Sequence, residues 1–166
     1  GAGARRLSAL RPSRSDAASG YSGGGVMSRI LRVGAAQLGP IARDESRPQV
    51  VARLITLMGQ AHGAGCDLVV FTELALTTFF PRWVIDDQDE IDGWYERHMP
   101  GPETQPLFDE ARRLGIGFHL GYAELTEEDG ETRHYNTAIL VGRDGEIIGK
   151  YRKVHLPGRS EPIDDA

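Results

Sequence analysis

The chain has 166 residues, enough for one domain with a buried core, and its 40% hydrophobic and 26% charged residues are ordinary for a folded protein. A formal net charge of −5 disfavours nucleic-acid binding, which needs a basic face. No apolar run reaches the ~20 residues of a membrane span, and a single cysteine excludes an internal disulfide framework, so we predict a cytoplasmic protein without nucleic-acid or membrane partners.

The first 26 residues differ in composition from the rest of the chain. They contain four arginines, a run of glycines from Gly23 to Gly25 and few large apolar side chains. Such a segment buries too little apolar surface to offset the entropy cost of ordering. We therefore predict a disordered extension over residues 1–26 and a folded domain over residues 27–166.

The next part of the chain predicts a strand, a helix and a second strand. Residues 30–37 form a short apolar run typical of a buried strand. Ser46 and Pro48 mark a helix start, and apolar residues then recur at helical spacing as far as Gly63. Residues 67–72 form the second apolar run. A strand, a helix and a strand in this order predict a βαβ unit with two parallel, neighbouring strands.

The second half of the chain completes a predicted α/β fold in which helices cover a mixed sheet. Residues 74–83 form an apolar, aromatic loop that we expect to pack beside a site. The other predicted elements are a short acidic helix within 86–97, an amphipathic helix over 107–114, and strands at 116–125, 135–141 and 146–153. The last three strands are expected to form an antiparallel meander.

Glu73 is the first candidate catalytic residue. It follows an apolar run at the carboxyl end of a predicted strand, where catalytic groups of α/β sheets gather. Apolar walls raise the pKa of a carboxyl group, which would help Glu73 act as a general base near neutral pH. The alternative is a surface charge that ends the strand.

Lys153 and His155 are the next candidates. On an extended segment alternate residues share a face, so Tyr151, Lys153 and His155 are expected to point one way and Lys150 and Arg152 the other. A lysine aimed into a site stabilises a developing oxyanion. The alternative for Lys153 is a basic edge strand, where lysines block unwanted strand pairing. His155 would line the site or orient other site residues, and its alternative is a purely structural role.

Cys66 is the single cysteine and the obvious thiol nucleophile to consider. If residues 66–73 are extended, about 3.3 Å per residue separates Cys66 from Glu73 by roughly 20 Å, beyond the hydrogen-bond reach that a base needs. We therefore predict a small core thiol and no nucleophile in this chain. The other histidines show no metal-ligand spacing, so no metal is predicted; they are His62, His98, His119 and His134.

Two motifs resemble those of the nitrilase (carbon–nitrogen hydrolase) superfamily. One is Val70-Phe71-Thr72-Glu73, with Thr72 where proline is common; the other is Tyr135-Asn136-Thr137-Ala138 followed by the run from Gly149 to Leu156. Within the superfamily, residues 27–158 are most similar to N-carbamoyl-D-amino-acid amidohydrolases, the D-carbamoylases. The segments that carry this likeness are residues 39–43, 73–83, 99–102, 114–118 and 120–125.

The resemblance implies the N-terminal part of a truncated α-β-β-α sandwich, with helices on one face of a mixed sheet. It makes Glu73 the general base, Lys153 the oxyanion-stabilising lysine and His155 a site-adjacent residue, with a cysteine nucleophile beyond Ala166. The implied enzyme hydrolyses the ureido C–N bond of N-carbamoyl-D-amino acids to the D-amino acid, ammonia and carbon dioxide. It needs no metal or organic cofactor and forms a homo-oligomer when full length.

Two other interpretations stay open at this point. A β-ureidopropionase, an amidase or a nitrilase would share Glu73 and Lys153 and differ only in substrate. Alternatively, the 166 residues form a non-catalytic scaffold. In either case, we expect the 166-residue chain to be inactive by itself.

Overall fold

The computed structural model describes residues 30–155, and its strands form one mixed sheet in the order β1-β2-β3-β4-β5. The predicted extension over residues 1–26 lies outside the described residues, as do both ends of the predicted domain. The strands are β1 (Val33–Ala35), β2 (Leu68–Val70), β3 (Gly117–Glu128), β4 (Glu131–Val141) and β5 (Ile147–Arg152). The helices are α1 (Arg47–Gly63), α2 (Gln88–Asp92) and α3 (Gln105–Leu114).

The predicted βαβ unit is confirmed. β1 and β2 are parallel, with Val33 opposite Leu68, and α1 lies between them in the chain. At the start of α1 the backbone N–H of Ser46 donates to Oε1 of Gln49 at 2.9 Å, while Pro48 occupies the first turn, where a missing N–H does no harm. β2 is also parallel to β3, and Val70 at its carboxyl end lies opposite His119, near the start of β3.

β1 corrects the prediction of a buried strand over residues 30–37. The strand has three residues, and Val33 is 51% exposed. β1 pairs with β2 alone, at the edge of the sheet, so its apolar side chains lack a second neighbour within residues 30–155. The strand predicted at 67–72 is likewise shorter, because the chain leaves the sheet after Val70.

The antiparallel meander is confirmed, and its first two strands are longer than predicted. β3 pairs with β4 and β4 with β5, all antiparallel. Asp129 and Gly130 have φ values of 55° and 80°, which suits a two-residue turn whose twist matches that of the flanking strands. The strands therefore continue to Glu128 and resume at Glu131, instead of ending at 125 and restarting at 135.

The acidic helix predicted within 86–97 is confined to α2. The carboxylate of Asp87 caps it by accepting from the N–H of Asp89 at 2.9 Å. Gly93 follows the last residue, and its N–H closes the final turn on the carbonyl of Asp89 at 3.1 Å.

The main core lies between the sheet and the two longer helices, α1 and α3. Phe108 of α3 meets Phe118 of β3 edge to face, with ring centroids 5.2 Å apart. Other residues of this core include Val50, Leu54, Met58, Leu107, Ala111, Leu120, Tyr122 and Ile139. None of the described helices is both long and apolar enough to cross a membrane.

A buried carboxylate fixes β5 against β3 on the helix-covered face. The Glu124 side chain is 8% exposed and forms ion pairs with Lys150 and with Arg152, whose Nη2 lies 2.9 Å from Oε1. Its other oxygen accepts from Thr137 Oγ1 at 2.7 Å. Burial raises the pKa of Glu124, but the hydrogen bonds from Arg152, Lys150 and Thr137 outweigh it and lower the pKa to about 2. Because Lys150 and Arg152 bind on this face, Tyr151 and Lys153 are directed to the other.

Replacing this carboxylate should destabilise the chain. Glu124→Gln should reduce the free energy of unfolding at pH 7 by about 2 kcal/mol, because Lys150 loses its counter-charge and Arg152 loses one of its two carboxylate partners. Both cations are exposed enough to rehydrate in part. Since the folded pKa lies below the ordinary 4.5, this contribution is present above pH 4.5 and is lost as the pH falls toward 2. Urea denaturation at several pH values measures it.

Glu128→Gln is the matched control for Glu124→Gln. Glu128 also binds Arg152, at 2.6 Å, but is 37% exposed, so its loss should be smaller. Equal losses for the two variants, or no acid-dependent difference between Glu124→Gln and the parent chain, would contradict this role of the buried Glu124 carboxylate.

Candidate active site

Glu73 lies in a tight turn directly after β2. The next residue, Leu74, is buried and has a φ of 47°, a left-handed conformation that is unfavourable for a branched side chain. Backbone hydrogen bonds fix the turn to β3 on both sides, from Phe71 N–H to the His119 carbonyl at 3.0 Å and from Ala75 N–H to the Gly121 carbonyl at 2.8 Å. The position of Glu73 is therefore set by main-chain contacts with β3.

Gly121 allows this close approach. A Cβ at position 121 would lie 2.9 Å from the Glu73 Cα, 3.0 Å from the Thr72 carbonyl oxygen and 3.2 Å from the Leu74 nitrogen. All three are backbone atoms, which cannot rotate away as a flexible side chain does. Only glycine lets the turn that carries Glu73 pack onto β3.

Glu73 and Lys153 meet in an ion pair. Lys153 Nζ donates to Oε1 of Glu73 at 2.9 Å. Asn136 Nδ2 donates to the same oxygen at 2.6 Å, and the backbone N–H of Lys153 donates to the Asn136 carbonyl at 2.8 Å. The structure thus brings the two predicted catalytic residues into direct contact and adds a third side chain from β4.

The expectation of a raised pKa for Glu73 is wrong. Hydrogen bonds from Lys153 and then from Asn136 lower the pKa of the Glu73 carboxyl, and partial burial, which raises the pKa, does not outweigh them. Its side chain is 49% exposed, so the apolar run before it does not enclose the carboxylate. Glu73 is therefore ionised at neutral pH, and the ammonium of Lys153 balances its charge.

The pair lies in a cavity of about 440 Å³ on the sheet face opposite α1 and α3. Tyr151, Lys153 and His155 all line it, whereas Lys150 and Arg152 reach Glu124 on the other face. This confirms the predicted alternation along the segment after residue 149. His155 lies at the exposed end of the cavity wall. The complete lining is Glu73, His119, Gly121, Asn136, Thr137, Ala138, Tyr151, Lys153 and His155.

The aromatic loop packs beside the site, as expected. Leu74 and Phe80 are buried against Ala123 of β3. Phe80 stacks on Trp94 with ring centroids 6.1 Å apart and meets Tyr95 at 5.5 Å. These contacts hold the loop that follows Glu73 against β3.

Cys66 lies outside the site. It precedes the amino end of β2, whereas Glu73 follows the carboxyl end. Its backbone N–H donates to the Ala61 carbonyl at 3.0 Å, and its side chain is partly buried against the core. Among residues 30–155, no group of three or more His, Cys, Asp or Glu side chains forms a metal-binding arrangement.

Two cavity residues were given no role from the sequence. Asn136 belongs to the motif Tyr135-Asn136-Thr137-Ala138, and its contact with Glu73 depends on the register between β3 and β4. His119 has a buried Nδ1 with no hydrogen-bond partner within the described part of the chain. Side chains alternate along β3, so His119 and Gly121 lie on one face. Knowing that the Glu73 turn packs on β3 would therefore have identified both residues as neighbours of Glu73.

The chain is similar in sequence to known nitrilases and amidases. A family model described as carbon-nitrogen hydrolase matches residues 32–165. Nitrilase 2 of an unknown prokaryotic organism is 31% identical over 131 residues, covering 75% of this chain and 40% of that protein. N-carbamoylputrescine amidase of Arabidopsis thaliana is 28% identical over 107 residues, covering 64% of this chain and 33% of that protein.

A solved structure agrees with the fold. The crystal structure of a carbon–nitrogen hydrolase from Helicobacter pylori G27 superposes with a TM-score of 0.63 at 22% identity, over 76% of this chain and 40% of that one. This likeness supports the predicted fold class, a mixed sheet of the nitrilase type with its helices. The chain spans about 40% or less of the length of these three proteins.

The close approach at Gly121 gives a prediction. Gly121→Ala should reduce the free energy of unfolding by about 2 kcal/mol, because backbone atoms of the Glu73 turn must move to admit the methyl group. It should also lengthen the contact between Glu73 and Lys153 in a crystal structure of the variant.

Gly59→Ala is the control for Gly121→Ala. Gly59 lies within α1 and has nothing within 4 Å of an added Cβ, so this change should leave stability equal or raise it by up to about 1 kcal/mol. A Gly121→Ala chain as stable as the parent, with the ion pair in place, would contradict the packing described here.

Proposed function

The chain belongs to the carbon–nitrogen hydrolase family, and we propose that it carries the general base and the oxyanion-stabilising lysine of an enzyme that hydrolyses non-peptide C–N bonds. The observation that supports this most strongly is the direct contact of Glu73 with Lys153, at 2.9 Å, inside an open cavity. In this proposal Glu73 is the base and Lys153 the oxyanion donor, with His155 as a residue that contacts substrate at the cavity wall.

The nucleophile in this proposal is a cysteine thiol from outside these 166 residues. Two observations support this proposal. Cys66 lies at the end of β2 away from Glu73, and the chain covers only 40% of the length of the related nitrilase 2. Glu73 takes the thiol proton as the sulfur bonds to the carbonyl carbon. The carbonyl oxygen becomes an oxyanion beside the Lys153 ammonium.

Collapse of this intermediate breaks the C–N bond. Glu73 returns its proton to the leaving nitrogen, which departs as ammonia, and an acyl-thiol ester remains. A water molecule then attacks this ester, giving its proton to Glu73, and the thiol is regenerated as the acid product leaves. A carbamic acid formed in this way would decompose to the amine and carbon dioxide.

The ion pair suits both proposed roles. An ammonium carries three N–H donors. Within residues 30–155 Lys153 uses one of them on Glu73, which leaves two for an oxyanion. The hydrogen bonds from Lys153 and Asn136 lower the pKa of Glu73 and so stabilise its ionised form, which is the form that accepts a proton. The pair therefore places a proton acceptor beside a positive charge.

The proposed substrates are N-carbamoyl-D-amino acids. The resemblance of residues 73–83 and 99–102 to the D-carbamoylases supports them, and one relative is named for an N-carbamoyl compound. The relative named as a nitrilase supports a second candidate, hydrolysis of a nitrile or a simple amide by the same residues. A non-catalytic scaffold is favoured only by the position of the single cysteine.

A variant of the gene product that includes the nucleophile tests the proposal. Glu73→Gln should reduce kcat for ammonia release from an N-carbamoyl-D-amino acid by about 10²- to 10⁴-fold, because the amide accepts no proton. The same assay with the L-isomer and with an aliphatic amide separates the candidate substrates.

Glu110→Gln is the control for Glu73→Gln. Glu110 is paired with Arg113 on the surface of α3, and its replacement should leave kcat within about twofold. Full activity of Glu73→Gln would contradict the assigned base, and release of no ammonia by the parent enzyme from any of these substrates would favour the scaffold.

A further inference from the structure

The two oxygens of the Glu73 carboxylate have different surroundings. Oε1 accepts hydrogen bonds from Lys153 Nζ at 2.9 Å and from Asn136 Nδ2 at 2.6 Å. Oε2 accepts none from any residue in the described range 30–155. Because the two oxygens are chemically equivalent, a half-turn about the Cγ–Cδ bond restores both hydrogen bonds, whereas intermediate angles lose them. The two donors therefore fix the plane of the carboxylate and leave one oxygen without a donor from this range.

Asn136 is itself held in place by the sheet. It lies opposite Ala123 on β3, and its backbone carbonyl accepts the N–H of Lys153 at 2.8 Å. The orientation of its amide follows from chemistry, since an amide oxygen 2.6 Å from a carboxylate oxygen would be repelled and an NH₂ group is attracted. Asn136 therefore presents a fixed donor, whereas Lys153 presents its donor at the end of a long, flexible chain.

We propose that Asn136 is a positioning residue that, with Lys153, occupies Oε1 of Glu73, so that Oε2 is the oxygen that exchanges protons with nucleophile and leaving group. The assignment of Oε2 rests on the proposed function; the hold of Asn136 on the Glu73 carboxylate does not. Without Asn136 the carboxylate would depend on Lys153 alone, and a lysine that moved toward an oxyanion would leave it free to rotate.

Asn136 has a second consequence for Lys153. The amide is neutral, so it stabilises the Glu73 carboxylate without adding a charge that would compete for an oxyanion. It thereby lets the ammonium divide its donors between Glu73 and substrate. The other titratable groups that line the cavity around Glu73 are His119, Tyr151 and His155, and none of them bonds to the carboxylate.

The test is the titration of the Glu73 carboxyl group in the 166-residue chain. Carbon-13 NMR of chain labelled at glutamate carboxyl groups reports the pKa, and the Glu73→Gln variant assigns the resonance. In Asn136→Leu, which removes the donor at similar volume, the pKa of Glu73 should rise, because a hydrogen bond to the ionised form is lost. An unchanged pKa would overturn the proposal.

Two further variants keep this test decisive. Gln105→Leu removes an amide that donates to Asp109 at 2.9 Å on α3, and it should leave the Glu73 titration unchanged. If Asn136→Leu fails to fold, Asn136→Asp conserves the shape and places a like charge beside Glu73, so the pKa of Glu73 should again rise. No rise in the Asp variant would overturn the proposal.

A kinetic measurement tests the assignment of Oε2. In the gene product that includes the nucleophile, Asn136→Leu should lower kcat about tenfold and leave KM within about twofold, since a hydrogen bond to a charged group is worth about 1.5 kcal/mol. A loss seen in KM alone would contradict the positioning role. If Glu73→Gln retains activity, the proposed function fails, while the NMR result still decides whether Asn136 holds the carboxylate.

Discussion

The ion pair between Glu73 and Lys153 joins residues that lie 80 positions apart in the chain, and the arrangement of the sheet is what brings them together. Glu73 is carried by a turn after β2, which packs onto β3 only because Gly121 has no side chain. Lys153 directly follows β5, whose pairing with β4 ends at Arg152. Three strand pairings therefore have to be correct before the carboxylate and the ammonium can touch.

The two faces of β5 have different roles, one in structural ion pairs and the other in the cavity wall. Lys150 and Arg152 bind the buried carboxylate of Glu124 on the face covered by α1 and α3, while Tyr151 and Lys153 line the cavity on the other. Because side chains alternate along a strand, the structural ion pairs on one face fix the direction of the lysine on the other. A slip of one residue in the pairing of β5 would exchange the two sets and would separate Lys153 from Glu73.

The sequence was sufficient for those features that depend on short-range geometry. The period of two along a strand placed Lys153 and His155 on one face, and the order of apolar runs predicted the parallel pair and the meander, all of which the structure shows. Features that depend on residues far away in the sequence could not be predicted from it. The burial expected for β1 needs a second neighbouring strand, and the pKa of Glu73 depends on donors from β4 and from the residue after β5.

Asn136 shows the same limit most clearly. Its contact with Glu73 requires the register between β3 and β4, which places Asn136 opposite Ala123. It also requires the Glu73 turn to pack onto β3, and no local pattern in the sequence specifies that packing. The catalytic roles of Glu73, Lys153 and His155 stay predictions that the geometry supports.

The most direct test of the central claim, that Glu73 and Lys153 act as one unit, is a double-mutant cycle on kcat in the gene product that includes the nucleophile. If the two residues act as one unit, Glu73→Gln combined with Lys153→Met lowers kcat little more than the worse single variant, because each change already disables the pair. Losses that multiply in the double variant, or full activity in either single variant, would contradict it.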